Sequence, residues 1–172
     1  LLLKHILEVT RQAKVGLIGT MEIMIGDQTI PAERTTPESL DLQCLFAQMH
    51  DAGCSHVIME VSSHAIALDR VGGLTFDVAA FTNLTEDHLD FHKTMENYCD
   101  TKAILFSRSK KAVANCDDPW FDRITKNCAC NLITTSVQKD AYLRAANISL
   151  QSDGITFSAR TETETAEVKL SI

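Results

Sequence analysis

The chain has 172 residues, 45% of them apolar and 23% charged, which suits one domain with its own core and excludes disordered, collagen-like and low-complexity classes. Sixteen Lys and Arg against 23 Asp and Glu give a formal charge of −7, which excludes a nucleic-acid grip driven by bulk positive charge. No apolar run nears the roughly 20 residues of a membrane span, and Leu1-Leu2-Leu3 followed by Lys4-His5 makes no signal peptide.

Leu2, Leu3, Ile6, Leu7 and Val9 fall near a 3.6-residue period and predict an amphipathic opening helix over about 1–13. Val15 to Thr20 reads as a short buried strand, followed by a hairpin region with a turn at Gly26-Asp27. Thr35-Thr36-Pro37-Glu38 predicts a helix start, with a Thr cap and Pro at the first helical position. That helix should end at Gly53. Further strands are expected at 56–61, 77–83, 111–115 and 131–135, with helices at 94–108 and 118–127. Apolar strands alternating with helices predict an α/β fold, a mostly parallel sheet with helices on both faces. From about 141 the pattern alternates around Ser152-Asp153-Gly154, which predicts an antiparallel hairpin at the C-terminal side. The chain begins without Met and stops inside Val168 to Ile172, a strand pattern, so it is expected to be part of a longer protein.

In an open parallel sheet, ligands sit beyond the carboxyl ends of the strands. Three strand ends here carry polar groups: Glu60 to His64, Thr82 to His92, and Asn115 to Asp118. Glu60 at an apolar strand end needs a metal, a cation or exposure to offset desolvation. Ser62 and Ser63 suit either a cap or a ligand contact, and His64 suits a core histidine. Asp117-Asp118 before Pro119 reads as a helix N-cap. His88 and His92 lack the Glu of the metalloprotease pattern and flanking Cys. The six Cys include Cys128-Ala129-Cys130, which lacks zinc-site spacing. They are expected to be reduced thiols in a cytoplasmic protein. Lys102 lies among apolar residues of a predicted helix. Its side chain either reaches water along its own stem or, partly buried, has its amine biased toward the neutral form, and a neutral amine can capture carbon dioxide as a carbamate.

Together, Glu33 to Glu38, Met59 to Ala65 with Arg70, Phe81 to His92, Tyr98 to Phe106 and Asn115 to Asp118 resemble the central domain of the Mur ligases. These are the ATP-dependent, amide-bond-forming enzymes of peptidoglycan assembly. The resemblance is strongest to the member that adds the third amino acid, meso-diaminopimelate or L-lysine, to UDP-N-acetylmuramoyl-L-alanyl-D-glutamate through an acyl phosphate. It implies substrate contacts at Thr35, Thr36, Ser62 and Arg70. It also implies a magnesium ion held by Glu60, His88 and carbamylated Lys102 (N6-carboxylysine), with Asn83 near the phosphates or metal. Catalytic roles are implied for Lys102, Asn83 and His88. Leu68 departs from relatives that carry Gln there.

The resemblance implies a P-loop-type fold, with residues 1–172 as part of the central ATP-binding domain. The Gly-x-x-Gly-Lys-Thr loop expected before the opening helix is not in the chain. The uridine-binding and amino-acid-binding domains are expected outside it, so the segment alone is expected to be inactive. The expected partners are ATP, the UDP-muramoyl-dipeptide and an amino acid, with no nucleic acid or membrane, and a monomer is the expected state. Alternatives are another Mur ligase or folylpolyglutamate synthetase, a metal-dependent hydrolase using Glu60, His64, His88 and His92, and a non-catalytic binding module.

Overall fold

A computed structural model describes residues 1–171, so the Ile172 end of the last predicted strand lies outside the described residues. The chain divides into two compact units, Leu1–Gly73 and Leu74–Ile172.

The first unit contains α1 (Leu2–Arg11), β1 (Val15–Ile18), β2 (Glu22–Ile25), β3 (Gln28–Pro31), α2 (Ser39–Asp51), β4 (His56–Met59) and α3 (Ser63–Ala67). Its sheet runs β3-β2-β1-β4. The predicted hairpin region is an antiparallel meander, with Gly26 at φ 60° supplying the turn. β1 and β4 pair in parallel, Val15 opposite His56 through Ile18 opposite Met59. Their carboxyl ends therefore point the same way, and Glu60 and Thr20 follow those ends directly. Val15, Ile18, Leu42, Met49 and Val71 are fully buried. A Cβ on Gly16 would strike the Met49 sulfur, so the glycine leaves room for this side chain of α2 against β1.

One local expectation needs correction. α2 begins at Ser39, with Glu38 as an uncapped N-cap, rather than at Pro37 behind a Thr cap. The residue before a proline is pushed into extended conformations, and the Thr36 hydroxyl is bonded elsewhere. The amphipathic opening helix, by contrast, is present as expected, with the apolar Leu2, Leu3, Ile6 and Val9 exposed and Lys4 buried and paired with Glu8 at 2.5 Å.

The second unit holds β5 (Phe76–Phe81), α4 (Leu89–His92), α5 (Met95–Ser107), β6 (Ser109–Asn115), α6 (Phe121–Thr125), β7 (Asn131–Ser136), β8 (Leu143–Gln151), β9 (Gly154–Arg160) and β10 (Thr165–Ser171). Its six-stranded sheet runs β10-β9-β8-β7-β6-β5. β5 to β8 pair in parallel, while β8, β9 and β10 pair antiparallel, one strand more than the predicted hairpin. The β7–β8 connection needs no helix, because β8 starts opposite the last residues of β7, Thr135 against Leu143. α5 and α6 pack on each other and on β6. The core they cover includes Phe81, Leu84, Tyr98, Cys99, Phe106 and Ile124. Thr94 caps α5 by accepting from Asn97 N at 3.1 Å.

A further correction concerns Asp117 and Asp118. α6 starts later, at Phe121, with no side-chain cap. The Asp118 carboxylate instead accepts from Leu84 N at 2.9 Å and Trp120 N at 2.8 Å, joining the loops after β5 and β6. Asp117 accepts from the Ser136 hydroxyl and Val137 N, both at 2.6 Å, and holds the turn after β7. Asn115 Nδ2 donates to the Thr82 carbonyl at 3.0 Å. Three neighbouring parallel strand ends are thus tied together by side chains. Among the described residues no helix is long and apolar enough to cross a membrane.

Candidate functional site

In the first unit the residues after β1 and β4 converge. The Glu60 carboxylate is exposed, and its Oε2 accepts two bonds from Thr20, from N at 3.0 Å and from the hydroxyl at 2.6 Å. No Lys, Arg or His among the described residues of this unit pairs with it. The salt-bridge alternative for Glu60 therefore has no partner here, and exposure removes the desolvation cost. Oε1 carries no bond from Thr20, which suits a carboxylate that gives one hard oxygen to a divalent cation.

Thr35 and Thr36 are adjacent in sequence but differ in surroundings. The Thr35 hydroxyl lies 3.1 Å from that of Thr20. Thr36 is only 1% exposed. Its hydroxyl donates to the Glu60 carbonyl at 2.9 Å and accepts from Ser62 N at 3.0 Å. Thr36 thus fixes the turn between β4 and α3. Ser62 is the N-cap of α3, accepting from Ala65 N at 3.2 Å.

Arg70 completes this region. Nη1 donates to the Thr36 carbonyl at 3.2 Å, and Nη2 reaches Glu38 at 3.0 Å, where Arg34 also bonds the same oxygen. The Arg70 Nε is buried without a hydrogen-bond partner. A cavity of about 400 Å³ lies alongside, lined among others by Glu33, Arg34, Pro37, Glu38 and Asp41. Leu68 is exposed.

In the second unit His88, His92 and Lys102 gather around Tyr98, which is 7% exposed. The His88 ring stands edge-on to it with centroids 6.0 Å apart, and the buried His92 ring stacks on it at 5.0 Å. Lys102 Nζ lies 5.3 Å from the Tyr98 centroid. Burial pushes the Lys102 amine below its ordinary value, opposed by the charge of Asp87. Burial, and secondarily Asp87, pushes the Tyr98 phenol up. His88 sits at φ 55° before α4, with its N donating to Asp87 Oδ1 at 2.7 Å. Asn83 follows β5 on the exposed loop.

Glu60 belongs to the first unit, and His88 and Lys102 to the second. Within either unit, no three His, Cys, Asp or Glu side chains among the described residues group to hold a metal. The four residues of the hydrolase alternative divide between the two units, and the His92 ring stacks on Tyr98. Two neighbours were not singled out from sequence. Thr20 follows β1 on the same edge as Glu60, so the strand-end rule, extended to the first strand, finds it. Tyr98 lies four residues before Lys102, the spacing of helical neighbours.

The chain is similar to the UDP-N-acetylmuramoyl-L-alanyl-D-glutamate–2,6-diaminopimelate ligase of Caldanaerobacter subterraneus subsp. tengcongensis, 45% identical over 172 residues. That match covers 99% of this chain and 36% of the relative, so the chain spans about a third of its length. A solved ligase of the same description superposes with a TM-score of 0.82 at 27% identity, covering 94% of this chain and 34% of the other. Folylpolyglutamate synthetase from Lactobacillus casei superposes with a TM-score of 0.63 at 17% identity, covering 95% of this chain and 47% of that one. At that identity the likeness speaks for the fold alone. The family model described as the Mur ligase middle domain matches residues 2–172, and the chain belongs to that family.

Proposed function

We propose that the chain is the central segment of an ATP-dependent ligase of peptidoglycan precursor synthesis, working in the cytoplasm. ATP phosphorylates the terminal carboxylate of UDP-N-acetylmuramoyl-L-alanyl-D-glutamate, an incoming amine attacks the acyl phosphate, and phosphate leaves. The relative's printed name supports diaminopimelate, rather than L-lysine, as the amino acid added.

The observation that carries this reading is Lys102, half-buried beside Tyr98 and held toward its neutral form. A neutral amine adds to carbon dioxide and loses a proton, turning a cation that would repel a metal into an anionic oxygen ligand. The His88 ring flanks the same Tyr98, so these two candidate ligands share one neighbourhood. Glu60, His88 and carbamylated Lys102 would then hold magnesium, which when bound supplies charge neutralisation between the approaching anions. Glu60 keeps Oε1 clear while Thr20 takes Oε2. Thr35, Ser62 and Arg70 bind the muramoyl-dipeptide, the buried Thr36 serves it by holding the turn that carries Ser62, and Asn83 serves the phosphates. The Arg70 guanidinium, bonded to the Thr36 carbonyl and Glu38, brings positive charge to the same segment.

The test is ATP-dependent amide formation by the full-length enzyme. Lys102→Ala should lower turnover roughly 10²–10³-fold, the size of a lost electrostatic stabiliser, with partial rescue by formate or acetate. Unchanged turnover in that variant would remove the carbamate role.

A further inference from the structure

We propose that Thr20 is a positioning residue that orients the Glu60 carboxylate and ties it to Thr35. The proposal rests on the metal-holding reading of Glu60 and adds a residue to it. Thr20 binds Glu60 Oε2 twice, through its amide N at 3.0 Å and its hydroxyl at 2.6 Å. Two donors on one oxygen fix the carboxylate plane and turn Oε1 away from Thr20. Thr20 follows β1 and Glu60 follows β4, the two parallel-paired strands of this sheet. Backbone pairing continues past the strands, with Glu60 N donating to Ile18 O at 2.8 Å, so the two residues are held in register.

Hydroxyl bookkeeping then orders the third member. A hydroxyl has one proton, and the Thr20 proton is spent on Glu60. In its 3.1 Å contact with Thr35, Thr20 must therefore accept, and Thr35 must donate. The result is a directional chain, Thr35 to Thr20 to Glu60. The Thr35 hydroxyl is left with lone pairs only, so the substrate group that meets this hydroxyl would be a donor, an amide N–H or a hydroxyl. A valine at 20 keeps the shape and the amide bond but breaks both hydroxyl links.

The experiment uses the full-length enzyme without nucleotide and measures manganese affinity by electron paramagnetic resonance for wild type, Thr20→Val, Thr20→Ser and Glu60→Gln. The KM for magnesium against kcat is measured alongside, and circular dichroism checks folding. Thr20→Val should weaken manganese binding roughly 10-fold or more, as loss of a ligand's hydrogen-bonding partner does. Thr20→Ser should restore it to within about 3-fold, because the donor returns. If Thr20→Val does not fold, Thr20→Ala against Thr20→Ser carries the same comparison. Weakening by Glu60→Gln with wild-type affinity in Thr20→Val would overturn the Thr20 role and leave the metal reading standing. No weakening in Glu60→Gln would overturn the metal reading of Glu60 itself, and the Thr20 role with it.

Discussion

Lys102 extends along α5 to place its amine 5.3 Å from the centroid of the Tyr98 ring, one helical turn earlier. The aromatic face attracts the cation, by about 0.5–1 kcal/mol in exposed settings. Burial acts the other way and dominates, since the amine is pushed below its usual range.

Lys102→Met should therefore stabilise the chain at neutral pH while activity is lost. A gain on the order of 1 kcal/mol corresponds to about 2–4 °C in a domain of this size. Between the lowered amine value and the ordinary one, the unfolded chain binds more protons, so wild-type stability rises with pH there. The advantage of the Met variant should shrink as pH rises through that window. Thermal melts across pH, compared with turnover, check this; a Met variant that is less stable at neutral pH counts against it.

Thr36→Val should cost far more stability than Thr35→Val. The buried Thr36 hydroxyl serves both the Glu60 carbonyl and Ser62 N, and leaving buried partners unmet costs about 1–3 kcal/mol. Thr35 is more open and, among the described residues, its hydroxyl bonds that of Thr20, so its replacement should stay within about 0.5 kcal/mol. Urea denaturation of the two variants gives the comparison.

Arg70→Met should destabilise by about 1–3 kcal/mol and raise the KM for the muramoyl-dipeptide in the full-length enzyme. It removes donors to the Thr36 carbonyl and to Glu38. Equal KM values for variant and wild type would separate Arg70 from substrate binding.

Asp117→Asn tests the turn after β7. Burial raises this carboxyl, but bonds from Ser136, Val137, Gln138 and Lys139 outweigh it and hold the group below its ordinary value. Such a group stabilises the fold above its unfolded value, and that contribution fades as pH falls through the folded one. The Asn variant should be less stable at neutral pH, and the gap should close in acid below the usual carboxylate range. Denaturation midpoints at several pH values check it.

The strands and the long helix α5 were legible because apolar runs and helical periodicity depend on local burial. The strand-end rule likewise leads to Glu60 and to the 82–92 loop. The start of α2 was less legible: Thr36-Pro37 carries both a cap signal and an extended preference, and a long-range bond to residues 60 and 62 decides between them. Asp118 reads locally as a cap for the same reason, whereas its second partner, Leu84, is 34 residues away. His88, His92 and Lys102 were visible as separate candidates, but the Tyr98 ring that gathers them looked only like an apolar helix position.

The clasp of Thr36 on Ser62 gives the region a built-in reporter. The Ser62 amide proton is tied to a hydroxyl supplied by a loop 26 residues earlier in the chain, so deuterium can replace it only after that loop lifts. Its exchange rate therefore measures how often the Thr35–Thr36 segment opens, and a ligand that grips the segment should slow that single amide.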